Sequence, residues 1–208
     1  MKINKKLLTI TTVLILLPIV IGLIFWEQLP AEIATHWGTD NQPNGWSSKP
    51  MAVFGIPAVI AALHVFCLIV TFADPKKNNI GKKAIGIVYW ILPVTSLLVM
   101  GSTYAYALGM EINIGMICCL LIGIIFIALG NYMPKAKQNF TFGYKLPWTL
   151  YSEENWNKTH RLAGWITFIC GILFILNAFI LSEYILFACV AAIFAPIIYS
   201  YVLYKKGI

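Results

Sequence analysis

Three histidines, five cysteines and eight carboxylates are the side chains of this 208-residue sequence that could ligate a metal, relay a proton or attack a substrate. Glu32, His36 and Asp40 recur in steps of four, so a helical turn would bring two carboxylates and an imidazole to one face. Imidazole and carboxylate suit a divalent metal. A surface imidazole paired with Glu32 needs no ion, and no metal or other cofactor is expected. The cysteines (Cys67, Cys118, Cys119, Cys170, Cys189) show no Cys-x-x-Cys spacing and no histidine beside them, so they read as packing residues. Glu153 and Glu154, with Lys158 after them, could activate water only with histidines close by, and His64 and His160 each stand alone. The chain is read as non-enzymatic.

The elements that must position these groups follow from composition. Apolar residues make up 60% and charged residues 11%, against about 45–50% and about 25% in soluble domains. A soluble surface cannot be built from that material. Apolar runs at 7–26, 51–73, 84–108, 112–130, 163–181 and 184–204 are each long enough to cross hydrocarbon. The expected fold is therefore an all-α integral membrane protein, a bundle of six transmembrane helices. All but Lys49 of the 15 Lys and Arg fall in the N-terminal tail, in 74–83, in 131–162 and in the C-terminal tail. The positive-inside rule then places the N and C termini in the cytoplasm of a cell with this protein as a multi-pass plasma-membrane component. The basic excess becomes a rim facing anionic lipid, with no direct nucleic-acid contact. Three lysines before the first run resemble the flank of a secretory leader, but the run exceeds a leader core and no Ala-x-Ala site follows closely, so it is expected to stay.

Within the spans, Gly115, Cys119 and Gly123 form one small-residue row, and Ala163, Thr167 and Gly171 another, of the kind that lets helices approach closely in lipid. Kinks are expected at Pro57, Pro93 and Pro196. His64 and Asn177 read as neutral groups hydrogen-bonded between helices. A division into residues 1–130 (four spans with the outer loop 27–50) and 131–208 (the inner loop 131–162 and two spans) is expected.

The two long connections carry the functional question. In the outer one, Pro30 followed by Ala31 to Trp37 predicts two short helical turns, and Gln42-Pro43-Asn44-Gly45 predicts a turn. Trp37 and Trp46 suit the headgroup layer. In the inner one, residues 131–150 mix basic, aromatic and turn residues in an ordered loop. Ser152 then caps a helix with Glu153 and Glu154 in its first turn, which runs on into the fifth span. Trp148 and Trp156 are interface anchors, and His160 beside Arg161 reads as lowered in pKa or solvent-paired rather than catalytic.

Leu29-Pro30-x-x-Ile33-x-x-His36-Trp37 resembles the N-terminal domain of unknown function common to SdpI-type membrane proteins. Pro134-Lys135-x-Lys137-x-Asn139-x-x-x-Gly143-x-x-x-Pro147-Trp148-Thr149-Leu150, followed by Trp156-x-x-Thr159-His160-Arg161, resembles the C-terminal signature of the same SdpI family. The resemblance implies bacteriocin immunity: protection of a bacterial cell from a membrane-active toxin peptide. It also implies toxin sensing, with capture of an ArsR-like winged-helix repressor at the inner face. Toxin contacts would come from Glu32, His36, Trp37, Asp40 and Trp46. Contacts to the cytoplasmic partner would come from Lys135, Lys137, Asn139, Lys145, Trp148, Trp156, His160 and Arg161. Lys145 stands near a position where the family often carries arginine, and lysine lacks the bidentate fork of arginine. The alternatives are a small proton-coupled transporter or flippase, with His64 as its proton site, and a membrane protein of envelope stress.

Overall fold

The computed structural model describes residues 2–208. Among these, six helical segments are long and apolar enough to cross a membrane. They are α1 (Lys5–Ile24), α2 (Ile56–Ala73), α3 (Lys82–Ala107), α4 (Ile114–Tyr132), α6 (Glu153–Ile180) and α7 (Glu183–Lys205). A single helical turn, α5 (Pro147–Tyr151), precedes α6, and two strands, β1 (Glu32–Trp37) and β2 (Pro43–Ser48), separate α1 from α2. Long helices form because hydrocarbon supplies no partner for backbone N–H and C=O groups, which must bond within the segment. Their ends carry the expected chemistry. The Asn4 side chain accepts from Leu7 N–H at the start of α1, and Ser152 accepts from Asn155 N–H at the start of α6, with Glu153 and Glu154 in its first turn. Helix α6 then continues unbroken through the fifth apolar run and stops at Leu181, whose φ of 53° is left-handed.

Two expectations about the chain path change. Pro57 lies in the first turn of α2, behind a π-helical turn (Met51–Gly55) in which Ile56 N–H reaches back five residues to the Met51 carbonyl. Pro18, absent from the sequence-based set, lies inside α1 with Pro93 inside α3 and Pro196 inside α7. In the turn before Pro18, the Ile15 carbonyl accepts from the Ser96 hydroxyl of α3 at 3.0 Å.

The outer segment is a β-hairpin, where helical turns were predicted. Strands β1 and β2 pair antiparallel, with Ala34 opposite Trp46 and irregularities on both sides of His36. The turn falls at 38–42: Gly38 N–H bonds the Gln42 carbonyl, Asp40 accepts from Gln42 N–H, and Asn41 takes a left-handed φ of 59°. Asp and Asn favour such turns because their side chains bond the nearby backbone. The predicted turn residues 42–45 mostly extend into β2.

The chain divides into two compact units, each discontinuous in sequence. The first comprises Lys2–Ile69 and Val88–Cys118. Its core joins Leu29 and Ile33 of the hairpin segment to Ala52, Val53, Met100 and Tyr104, with Phe25 and Trp26 packed against them. The second comprises Val70–Ile87 and Cys119–Ile208. Its centre is a glycine seam between α4 and α6. A Cβ on Gly123 would lie 2.8 Å from the Gly171 carbonyl, and one on Gly130 would lie 2.5 Å from Phe168 N. Gly171 and Gly164 are equally confined, with 2.7 Å to Ile127 N and 2.5 Å to Pro134 Cγ. The expected rows thus contribute Gly123 and Gly171, while Gly130 and Gly164 complete the contact. Asn177 links helices as predicted, donating to Cys119 Sγ of α4 and accepting from Ser182 N–H after α6.

Gly130→Ala is expected to force the helices apart and lower stability by about 1–3 kcal/mol, read as a fall in melting temperature in detergent. Gly86→Ala, at a position with nothing within 4 Å, should leave the melting temperature unchanged or raise it slightly.

Candidate functional site

Two ordered connections carry the polar and aromatic side chains that the helices cannot. The first is the hairpin. Thr35 and Ser47 bond across its strands at 3.0 Å, and the His36 Nδ1–H donates to Asn44 Oδ1. A Cβ on Gly45 would touch His36 Cβ at 3.0 Å, so the stem of the His36 side chain lies against a residue with no side chain. Asn41 Oδ1 accepts from Gly115 N–H at 2.8 Å and so caps the start of α4, where a free N–H needs an acceptor. Lys49 Nζ donates to the Trp26 carbonyl at 2.9 Å and sits 5.1 Å from the Trp26 ring. These bonds fix the hairpin segment to the ends of two helices, α1 and α4. Glu32, His36, Asp40 and Trp46 are exposed on it, and Trp37 is half-buried with its ring edge-on to Tyr106 at 5.7 Å. In extended strand the four-residue step from Glu32 to His36 spans about 13 Å. Among the described residues no three His, Cys, Asp or Glu side chains converge on one point.

The second is the segment between α4 and α6, which folds against the connection from α2 to α3. Asp74 is its anchor. The buried carboxylate accepts from Lys76 N–H (2.7 Å), Phe140 N–H (2.8 Å) and the Thr141 hydroxyl (2.6 Å). Gln138, also buried, donates to the Thr149 and Leu150 carbonyls and accepts from Lys76 Nζ. Asn139 Oδ1 closes the loop on itself by accepting from Thr141 and Phe142 N–H. A buried charge is tolerated only when bonded in this way.

The loop then seats on α6 through His160. Its Nδ1–H donates to the Trp156 carbonyl (2.8 Å) and its Nε2 accepts from Tyr144 N–H (3.0 Å), an arrangement that defines the neutral Nδ1–H tautomer. The ring stacks on Trp156 at 3.8 Å, and the Trp156 Nε1–H donates to the Ala136 carbonyl at 2.7 Å. Gly143 crosses this stack with φ +104°, and a Cβ there would lie 2.1 Å from His160 Nε2. Tyr144 donates to the Ile193 carbonyl at 2.8 Å, and burial pushes its phenol up.

The eight inner residues singled out from sequence therefore separate. Asn139, Trp156 and His160 are buried and build the loop. Lys135, Lys137, Lys145 and Arg161 are exposed, and Trp148 is half-exposed with its Nε1–H on Ser200 Oγ. Asp74, Gln138 and Tyr144 were not singled out. The signal available was a lone carboxylate at the end of an apolar run, followed by Pro75. Elsewhere, His64 is fully buried: its Nε2–H donates to the Thr11 hydroxyl at 2.8 Å, whose own hydrogen goes to the Leu7 carbonyl, while Nδ1 meets no partner among the described residues.

Comparison with known proteins adds three findings. Residues 135–200 match the SdpI/YfhL protein family, and residues 13–61 match a domain of unknown function (DUF1648). The chain is 30% identical over 205 residues to the immunity protein SdpI of Bacillus subtilis (strain 168), covering 95% of each sequence. No solved structure matches.

Asp74→Ala should speed hydrogen exchange at the Phe140 amide by about tenfold or more, since a hydrogen bond to a charged group contributes about 1.5–3 kcal/mol. Gly143→Ala should lower the melting temperature, whereas Gly207→Ala, also at positive φ but with open space around it, should lower it much less.

Proposed function

The chain belongs to the SdpI/YfhL protein family and is a multi-pass cell-membrane protein, and from that premise we propose that it is an immunity protein, protecting a bacterial cell from a membrane-active toxin peptide without enzymatic chemistry. Full-length similarity to a protein named for immunity is the observation that carries this reading. The lysine distribution supports cytoplasmic termini. If each helix crosses once, the hairpin then faces outward and the Asp74-anchored loop inward.

On this reading the hairpin is the toxin-facing element. It offers Glu32 and Asp40 to a cationic peptide and Trp46 to an apolar one, with His36 and Trp37 between them. Because its bonds hold it to the helix ends, little loop entropy is lost on contact. The inner surface for a cytoplasmic partner consists of Lys135, Lys137, Lys145, Arg161 and the free face of Trp148. Asn139, Trp156 and His160 act there by shaping the loop. An acidic face on a winged-helix repressor is the complementary partner.

A second reading, a small proton-coupled transporter or flippase, draws on the unpartnered Nδ1 of buried His64. His64→Leu separates the two, because protection that persists in this variant and without a proton gradient belongs to immunity by binding.

In a survival assay on a sensitive strain, Glu32→Lys with Asp40→Lys, or Trp46→Ala, should cut protection about tenfold or more at unchanged membrane abundance, as expected where contact residues contribute about 2 kcal/mol. Protection equal to the parent chain would mean that helix surfaces within the bilayer, rather than the hairpin, meet the toxin.

A further inference from the structure

At the end of the second unit, α5 and the last turns of α7 enclose an open cleft of about 460 Å³, lined by Pro147, Trp148, Tyr151 and Tyr204. Trp148 stacks on Tyr204 (5.7 Å, 25°) and meets Tyr201 edge-on at 5.5 Å. Its indole N–H is already given to Ser200, so the ring offers the cleft only carbon. Tyr151 is 92% exposed, more than any other large apolar side chain among the described residues. A ring so far out of the fold, beside an open aromatic wall, marks a surface that something else covers.

Position and charge identify the occupant. Lys205 and Lys206 close α7, at the level where the helix leaves hydrocarbon and where Trp, Tyr and Lys concentrate in membrane proteins. The Lys205 ammonium stands 5.8 Å from the Tyr201 ring, which itself packs on Trp148. Lys145 is exposed two residues before Pro147. Of the acids nearby in sequence, Glu154 is paired with Lys158 at 2.7 Å, and Glu153 is exposed two residues beyond Tyr151. Aromatic walls with a cationic margin at the interface suit a ligand that is apolar below and anionic above.

We propose that this cleft binds a single anionic phospholipid, with its glycerol and first methylenes against Trp148, Tyr151 and Tyr204 and its phosphate facing Lys205. The site rests on the chain crossing a membrane and does not depend on the immunity reading. On the cleft side it makes a lipid, in place of the cytoplasmic partner, the ligand of Trp148.

The test reconstitutes the full chain in phosphatidylcholine nanodiscs containing a minority of either brominated phosphatidylglycerol or brominated phosphatidylcholine. The emission of Trp148 is taken as the difference between the parent chain and Trp148→Phe. Quenching should be severalfold stronger with the brominated phosphatidylglycerol. That excess should shrink in Lys205→Gln and in Tyr151→Ala, both at exposed positions where the fold is not at risk, and at high salt. Equal quenching by the two lipids would reduce the cleft to an ordinary stretch of interfacial aromatics and overturn the proposal. Absence of any quenching at Trp148 would also overturn it, leaving the cleft to a protein partner.

Discussion

A backbone N–H or C=O in hydrocarbon has no water to bond, so each must find its partner within the protein. Regular helix solves this locally. Side chains and local geometry add to it in places. The π turn before Pro57 shifts the bonding to the fifth residue, and the Ile15 carbonyl in α1 takes an added bond from the Ser96 hydroxyl of α3. Packing obeys a related limit. Lipid tails are as apolar as leucine, so helices gain nothing by hiding leucine from lipid. They gain by close approach, and the Gly123, Gly130, Gly164 and Gly171 seam brings two backbones into direct contact.

Burial against protein imposes a similar demand on the long connections. In the inner one the bonding is supplied by side chains. Asp74 holds Phe140 and Thr141, Gln138 holds Thr149 and Leu150, and His160 holds Tyr144. Each of these polar groups would be costly to bury alone, and each is spent on backbone rather than solvent. The consequence for function is a division of labour. Buried members of the signature maintain the shape, and the lysines, Arg161 and the aromatic wall around Trp148 remain to be touched.

The hairpin meets the demand by pairing two short strands with each other. An isolated pair of strands is marginal in water. Here Leu29 and Ile33 are drawn into the core of the first unit, and Asn41 is committed to the start of α4. The exposed acids and Trp46 thus stand on a braced platform, where a flexible loop would lose entropy on every encounter.

Much of this was legible in the residues themselves. Hydropathy is a local property, and a helix in lipid bonds only within itself, so the six spans and the cap at Ser152 could be read without knowing what packs against them. The motifs of the two connections were legible as well. What tertiary structure decided are the pairings over distance. Residues 32–37 have no local reason to extend until 43–48 lie beside them, so the hairpin was misread as helix. Gly130 and Gly164 become contact residues only when the crossing of α4 and α6 brings them together. Asp74 bonds a loop 66 residues away, and no spacing rule connects a carboxylate to backbone donors at that separation, because the chain between them can place its ends anywhere until the helices have packed.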